Sequence, residues 1–298
     1  MSRARGNLVR MQGLSSELAR ALESADRHAI PRLAQAGSRD EWAVAARDIA
    51  ARDIEATPAQ RRVIAIELAL RDKALDPDHP IFVGIAEGPA PLQLLPFERS
   101  LLAQVTRFGG VAGVTAVSGP APGVAPKSYP LVVSSSREVT NDDARVAIES
   151  AVASWVTGSN GTVESRVFAI EAPHGRHAGA DVLTALGLAA IPAGEAPSVE
   201  VIDAAGALAR LFTAARGGAY CGWTADASAR DLAWTSLRGL LGVAASTPAE
   251  SVATLAQATG FVSFLGTSFF HDVAWDLGLA VVPPSRDRLA ILAATDTD

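Results

Sequence analysis

Apolar positions recur at helical spacing through the first third of the chain. Ser38-Arg39-Asp40-Glu41 is a capping-box pattern, and behind it Trp42, Ala45, Ala46 and Ile49 form one stripe. Thr57-Pro58-Ala59-Gln60 is a second start signal. Proline there costs nothing, because the first helical N–H has no partner in any case. The helix that follows is predicted to bury Val63, Ile64, Leu68 and Ala69 or their neighbours and to stop before Asp76-Pro77. A third helix is expected from Pro96 to Phe108, ahead of Gly109-Gly110. Short turns between successive helices predict a helical layer over residues 1–108, with no period strict enough for a known helical repeat.

Residues 109–126 hold five glycines and three prolines, which no helix tolerates at that density. They are expected to form a linker or long surface loop. Beyond them the pattern alternates. Tyr129 to Ser134 reads as a strand, Thr140-Asn141-Asp142-Asp143 as a helix start, and Thr162 to Ile170 as a strand. That order suggests a β-α-β unit with a parallel pair. Next come a helix over 181–190, a strand over 198–202, a helix from the Asp203 cap to Arg216, and helices near 227–241 and 247–258. A strand is expected over 260–265, a helix from Ser268 through Leu279, a short apolar piece at 280–282 and a strand over 289–294. The fold class read from this is α/β, with α+β as the other possibility. An N-terminal helical layer precedes a mixed, partly parallel sheet flanked by helices, so that residues 127–298 form the α/β domain.

Composition narrows the class. Of 298 residues, 49% are hydrophobic and 19% charged, which is enough for a core and too little charge for a disordered chain. The net charge of −6 arises beyond residue 138, where carboxylates outnumber basic groups. Phosphate backbones would be repelled there, so no nucleic-acid partner is expected. Arg3, Arg5 and Arg10 make a weak basic arm read as solvated. The one cysteine, Cys221, rules out an internal disulfide and a cysteine-based zinc site, and points to a reducing compartment. No leader pattern opens the chain and no apolar run reaches the length of a membrane span, so the expected setting is the cytoplasm.

Candidate chemistry is sparse. Asp296 and Asp298 form a D-x-D pair behind an apolar strand, a pattern able to hold a hard cation; the favoured reading is an exposed polar end. His271 and Asp272 could form a base and its orienting carboxylate, or simply open a helix packed by Phe269, Phe270 and Trp275. His174 and His177 share an H-x-x-H spacing in a loop, without further visible ligands. Cys221 lies between glycines and aromatics with no local histidine to activate it. Phosphate-binding P-loops, dinucleotide fingerprints, nucleophile elbows and H-E-x-x-H are all missing from the sequence. No cofactor and no metal is therefore expected.

The stretch Gly217-Gly218-Ala219-Tyr220 through Ala233-Trp234-Thr235-Ser236-Leu237-Arg238-Gly239-Leu240-Leu241-Gly242, with Val273-Ala274-Trp275-Asp276-Leu277-Gly278-Leu279 and the ending Leu292 to Asp298, resembles an actinobacterial protein family of unknown function. The resemblance covers about the last 100 residues and implies no activity. An Ala- and Arg-rich chain with only two lysines, Lys73 and Lys127, agrees with a GC-rich bacterial origin. The functional expectation is a non-catalytic protein-binding or scaffold module. The alternative is an enzyme acting on a small polar substrate at the C-terminal edge of the sheet, with or without a metal, using His174, His177, His271, Asp272, Asp296 and Asp298. The sequence specifies no oligomeric state.

Overall fold

The computed structural model describes residues 14, 16–22, 29–36, 41–46, 56–76, 78–85, 88–98, 129–172, 174–217, 226–271 and 275–296. The chain divides into two units, residues 1–110 with 225–228, and residues 111–224 with 229–298. The expected 109–126 linker, the start signal at 38–40, most of the 96–108 helix, Cys221 and the N-terminal arginines lie outside the described residues. Only a 3-10 turn, Pro96–Glu98, is seen of that third helix.

In the first unit, α1 (Ala29–Ala36) and α2 (Pro58–Ala69) are accompanied by helical segments at 16–22, before α1, and at 41–46, between the two. The Thr57 start is a full capping box. The Thr57 hydroxyl accepts from the Gln60 N–H at 3.2 Å, and the Gln60 side chain accepts from the Thr57 N–H at 2.8 Å. Two N–H groups that a helix start leaves bare are thereby satisfied. Ile64 and Leu68 of α2 meet Leu18, Ile30 and Trp42 in one core, and the Trp42 indole donates to the Leu33 carbonyl at 3.3 Å.

The second unit is built on β1 (Ser135–Glu138), β2 (Thr162–Glu171), β3 (Ser198–Ile202), β4 (Gly260–Leu265), β5 (Trp275–Val282) and β6 (Arg288–Asp296). They form one sheet in the order β1-β2-β6-β5-β4-β3, and every neighbouring pair is antiparallel. The class is α+β, and the partly parallel sheet expected from the strand–helix alternation is not what forms. The expectation rested on the alternation of strands and helices. Helices do separate β1 from β2, namely α3 (Asp142–Glu149) and α4 (Ala153–Gly158), but they carry the chain back along the sheet instead of across it. Uninterrupted apolar runs such as those of β4 and β6 mark strands covered on both faces, a pattern common in parallel sheets. Here an antiparallel sheet is covered on both faces, and its central strands read the same way.

Strand alternation divides the sheet into two faces. One carries Phe168, Ile291, Ala280, Val262 and Phe264, and packs against Leu183, Leu188 and Ile191 from α5 (Ala180–Ala185) and the loop behind it. The other carries Val167, Ala290, Leu292, Leu279 and Phe261. Helix α6 (Ala204–Arg216) packs on β4 and β5, and α3 and α4 pack on β2. Two further helices follow α6, α7 (Asp226–Leu241) and α8 (Ala249–Ala258). Each large aliphatic side chain buried this way contributes about 1.5–3 kcal/mol.

Two local expectations fail for related reasons. Residues 129–134 make only isolated bridges, Pro130 to His177 and Val132 to His174, and the strand begins later, at Ser135. The helix expected from Ser268 through Leu279 is replaced by β5 from Trp275. Tertiary contact decides this one. A Cβ at Gly278 would lie 1.9 Å from the Phe264 carbonyl oxygen, so that glycine lets β4 approach, as glycines inside strands often do.

Two substitutions test these elements. Thr57→Ala removes one half of the capping box and is expected to cost about 1 kcal/mol in urea unfolding followed by circular dichroism. Gly278→Ala forces a methyl group into backbone and is expected to cost about 2 kcal/mol or more in the same measurement. A wild-type midpoint for Gly278→Ala would contradict the close approach of β4 and β5.

Candidate functional site

The chain positions a cationic pocket where α7 ends and β6 begins. Helix α7 stops at Gly242, which has φ +71°, with Gly242 N–H donating to the Gly239 carbonyl and Val243 N–H to the Arg238 carbonyl. Glycine suits that left-handed geometry. It also leaves room, because a Cβ there would lie 2.9 Å from the guanidinium carbon of Arg288. Arg288 opens β6 after the Pro283-Pro284-Ser285 turn. Its Nη2 donates to the Gly239 carbonyl at 2.9 Å, so the cation sits at the negative end of the α7 dipole.

That is the one hydrogen bond Arg288 makes among the described residues; its Nε–H is buried and unbonded. Burial holds its pKa below the usual arginine value, opposed by the nearby Asp287 carboxylate. Asp287 does not pair with it. The Asp287 carboxylate accepts the Ser285 hydroxyl instead, and its backbone carbonyl accepts the Ile170 N–H at 2.9 Å. Around these groups Val139, Val167, Leu241, Leu255, Pro283 and Pro284 line a cavity of about 410 Å³. The arrangement can hold a small molecule with a hydrogen-bond acceptor or negative charge and an apolar body.

The residues singled out from the sequence lie elsewhere. His174 is exposed, and His177 is 5% exposed with its Nδ1 buried and unbonded. Burial, and then the neighbouring Arg176, lower the His177 pKa, which favours the neutral ring. Both histidines follow the Glu171 end of β2, near the start of β6. Asp296 lies at the far end of β6, roughly 26 Å away at about 3.3 Å per residue. It is not an exposed polar end: it is 1% exposed and accepts the Ser159 hydroxyl at 2.7 Å. His271 is exposed and precedes β5, at the Asp296 end. The structure therefore does not gather His174, His177, His271 and Asp296 into one site. Asp272 and Asp298 lie outside the described residues. Among the described residues no group of three or more His, Cys, Asp or Glu side chains is placed to hold a metal ion.

Two charged groups belong to no motif in the sequence, Arg288 and Glu67. The available signal was a charge inside or beside an apolar run, Arg288 before Leu289 to Ala294 and Glu67 amid Val63 to Leu70. In the first unit, the Glu67 carboxylate bonds Arg71 and accepts the Ala227 N–H at 2.8 Å, while Arg71 reaches Asp226 at 2.9 Å. Ala227 belongs to the first turn of α7, so Glu67 satisfies an N–H that the helix start leaves bare. Burial raises the Glu67 pKa to about 7; Arg71 works against that and Asp226 with it.

Together these features define an α+β protein with a two-faced antiparallel sheet and a half-open cationic pocket at one end of it. The chain belongs to a family of unknown function, DUF6183, which matches residues 3–298. That match spans nearly the whole chain, wider than the C-terminal stretch in which the resemblance was read. No curated protein and no solved structure matches it. No helix among the described residues is long and apolar enough to cross a membrane.

The Glu67 environment predicts a pH effect. Its folded pKa of about 7 lies above the ordinary 4.5, so between those values the folded chain keeps a proton that the unfolded chain has lost. This group's contribution to stability is full below about 4.5 and falls as pH rises toward 7. Glu67→Gln removes that slope. Relative to the parent, the variant is expected to gain stability steadily as unfolding is measured from pH 4.5 to 7.5; parallel curves would contradict the burial described.

Proposed function

We propose that the chain is a non-catalytic binding module whose recognition site is the pocket at the start of β6. One observation carries this reading: the Arg288 guanidinium enters an apolar pocket with a single hydrogen bond and a buried, unbonded Nε–H. A buried donor left without a partner costs about 1–3 kcal/mol, and a ligand that draws an acceptor to this guanidinium recovers part of that cost. General acid–base work asks for a group tuned toward neutral pH within reach of the ligand. Glu67 and His177, whose pKa values are displaced by burial, do not line this pocket. Walls enclosing about 410 Å³ suit a small ligand better than the broad face that a protein partner needs. A cytoplasmic, bacterial setting is part of the same proposal, supported by the single cysteine and the Ala- and Arg-rich composition.

The test is a titration with small aliphatic carboxylates, read by calorimetry and thermal shift. 4-Methylpentanoate is expected to bind and raise the melting temperature. Arg288→Gln, with an unchanged circular dichroism spectrum, is expected to weaken binding at least about tenfold, the order of one charge-assisted hydrogen bond. Absence of binding to the parent protein across the series would sink the reading.

A further inference from the structure

We infer that the pocket takes an aliphatic dicarboxylate, whose first carboxylate meets Arg288 and whose second meets Arg137 on β1. The inference rests on the pocket being a binding site and adds the second anionic end of its ligand. Strand register places the two arginines. Arg137 pairs with Ala169 across β1 and β2, and Ala169 pairs with Arg288 across β2 and β6. Residues directly opposite one another in an antiparallel ladder send their side chains to the same face. Arg137, Ala169 and Arg288 therefore form one row on one face of the sheet. Ala169 lines the cavity, and so does Val139, two residues beyond Arg137 on that same face.

Arg137 is exposed, and among the described residues its side chain makes no hydrogen bond and no ion pair. The carboxylates beside the two arginines are engaged elsewhere. Glu138 leaves the opposite face and pairs with Arg166 at 3.5 Å. Asp287 leaves the face opposite to that of Arg288 and accepts the Ser285 hydroxyl. Glu171 shares the face of Arg137, opposite Ser135, without pairing with it. Adjacent strands lie about 4.8 Å apart, so the two arginine backbones are separated by roughly 10 Å. The alanine between them puts only a methyl group over β2. The Arg288 head donates to the Gly239 carbonyl, and sharing one compact anion with Arg137 would cost it that bond. A ligand with two separated carboxylates meets both cations where they stand. Val167, Leu241 and Leu255 suit the methylene groups between its ends.

The experiment compares adipate and suberate with hexanoate and octanoate, their one-ended counterparts, and with inorganic phosphate, by calorimetry on the full chain. At low ionic strength the better diacid is expected to bind about fivefold more tightly than the monoacid of equal length, the order of one solvent-exposed ion pair. That advantage is expected to shrink as salt is raised. Arg137→Gln, on an exposed edge strand, is expected to erase the advantage while leaving hexanoate and octanoate unchanged. Three results would overturn the two-ended assignment while the carboxylate-binding pocket stands: monoacids that bind the parent protein as tightly as the diacids, phosphate that binds more tightly than the diacids, or a diacid advantage that survives Arg137→Gln. If no acid binds, both fall. The comparison on the parent protein alone can refute the assignment even where the variant does not fold.

Discussion

The second unit depends on covering β6 from both sides. This strand lies between β2 and β5, and Leu289 through Asp296 are all buried. Its backbone groups are satisfied by two antiparallel neighbours, and its side chains alternate between two separate packing layers. A charge in that position is costly without a partner. Asp296 has one, since its carboxylate is buried with the Ser159 hydroxyl bound to it, whereas the Thr295 hydroxyl beside it is buried without a hydrogen bond. The edges obey the opposite rule. The outermost β1 is short, fully exposed and includes Arg137 and Glu138, a composition that discourages further strand pairing.

The pocket follows from where that cover ends. The first residue of β6 is Arg288, and it lies where α7 stops and the tight turn after β5 returns the chain. A charged side chain at this boundary can shelter its stem among Val167 and Leu241 and place its head against a helix C-terminus. Gly242 is needed twice over, for its positive φ and for the space that the guanidinium fills. The site thus comes from the edge of a packed layer, where burial of a cation is incomplete and its hydrogen-bonding capacity is left in part unused.

In the first unit the corresponding compromise is Glu67. A carboxylate among apolar helix residues is costly unless its oxygens are bonded, and here Arg71 and the Ala227 N–H supply the bonds. The same burial keeps its pKa near neutrality, so its charge state responds to modest changes in pH. Nothing in its helical spacing distinguishes Glu67 from a solvated glutamate. Ala227, 160 residues away, makes the difference, and contacts at that separation leave no periodic trace.

What the chain's own order determined was local. The Thr57 capping box, the Asp203 cap of α6 and the limits of β3 and β4 follow from side chains within a few residues of the backbone they stabilise, and they form where those signals lie. Strand direction was not local. An apolar run buried on both faces reads alike in a parallel and an antiparallel sheet, and only long-range pairing chose the antiparallel one. Pairing also turned residues 275–282 from an expected helix into β5, through the close approach that Gly278 permits. The site belongs to this second class. Arg288 meets Gly239 across 49 residues, and neither position carries a signature of its own. Hydrogen bonds between neighbours in sequence leave a pattern, whereas a pocket arises only when distant segments pack and one charge is left at their margin.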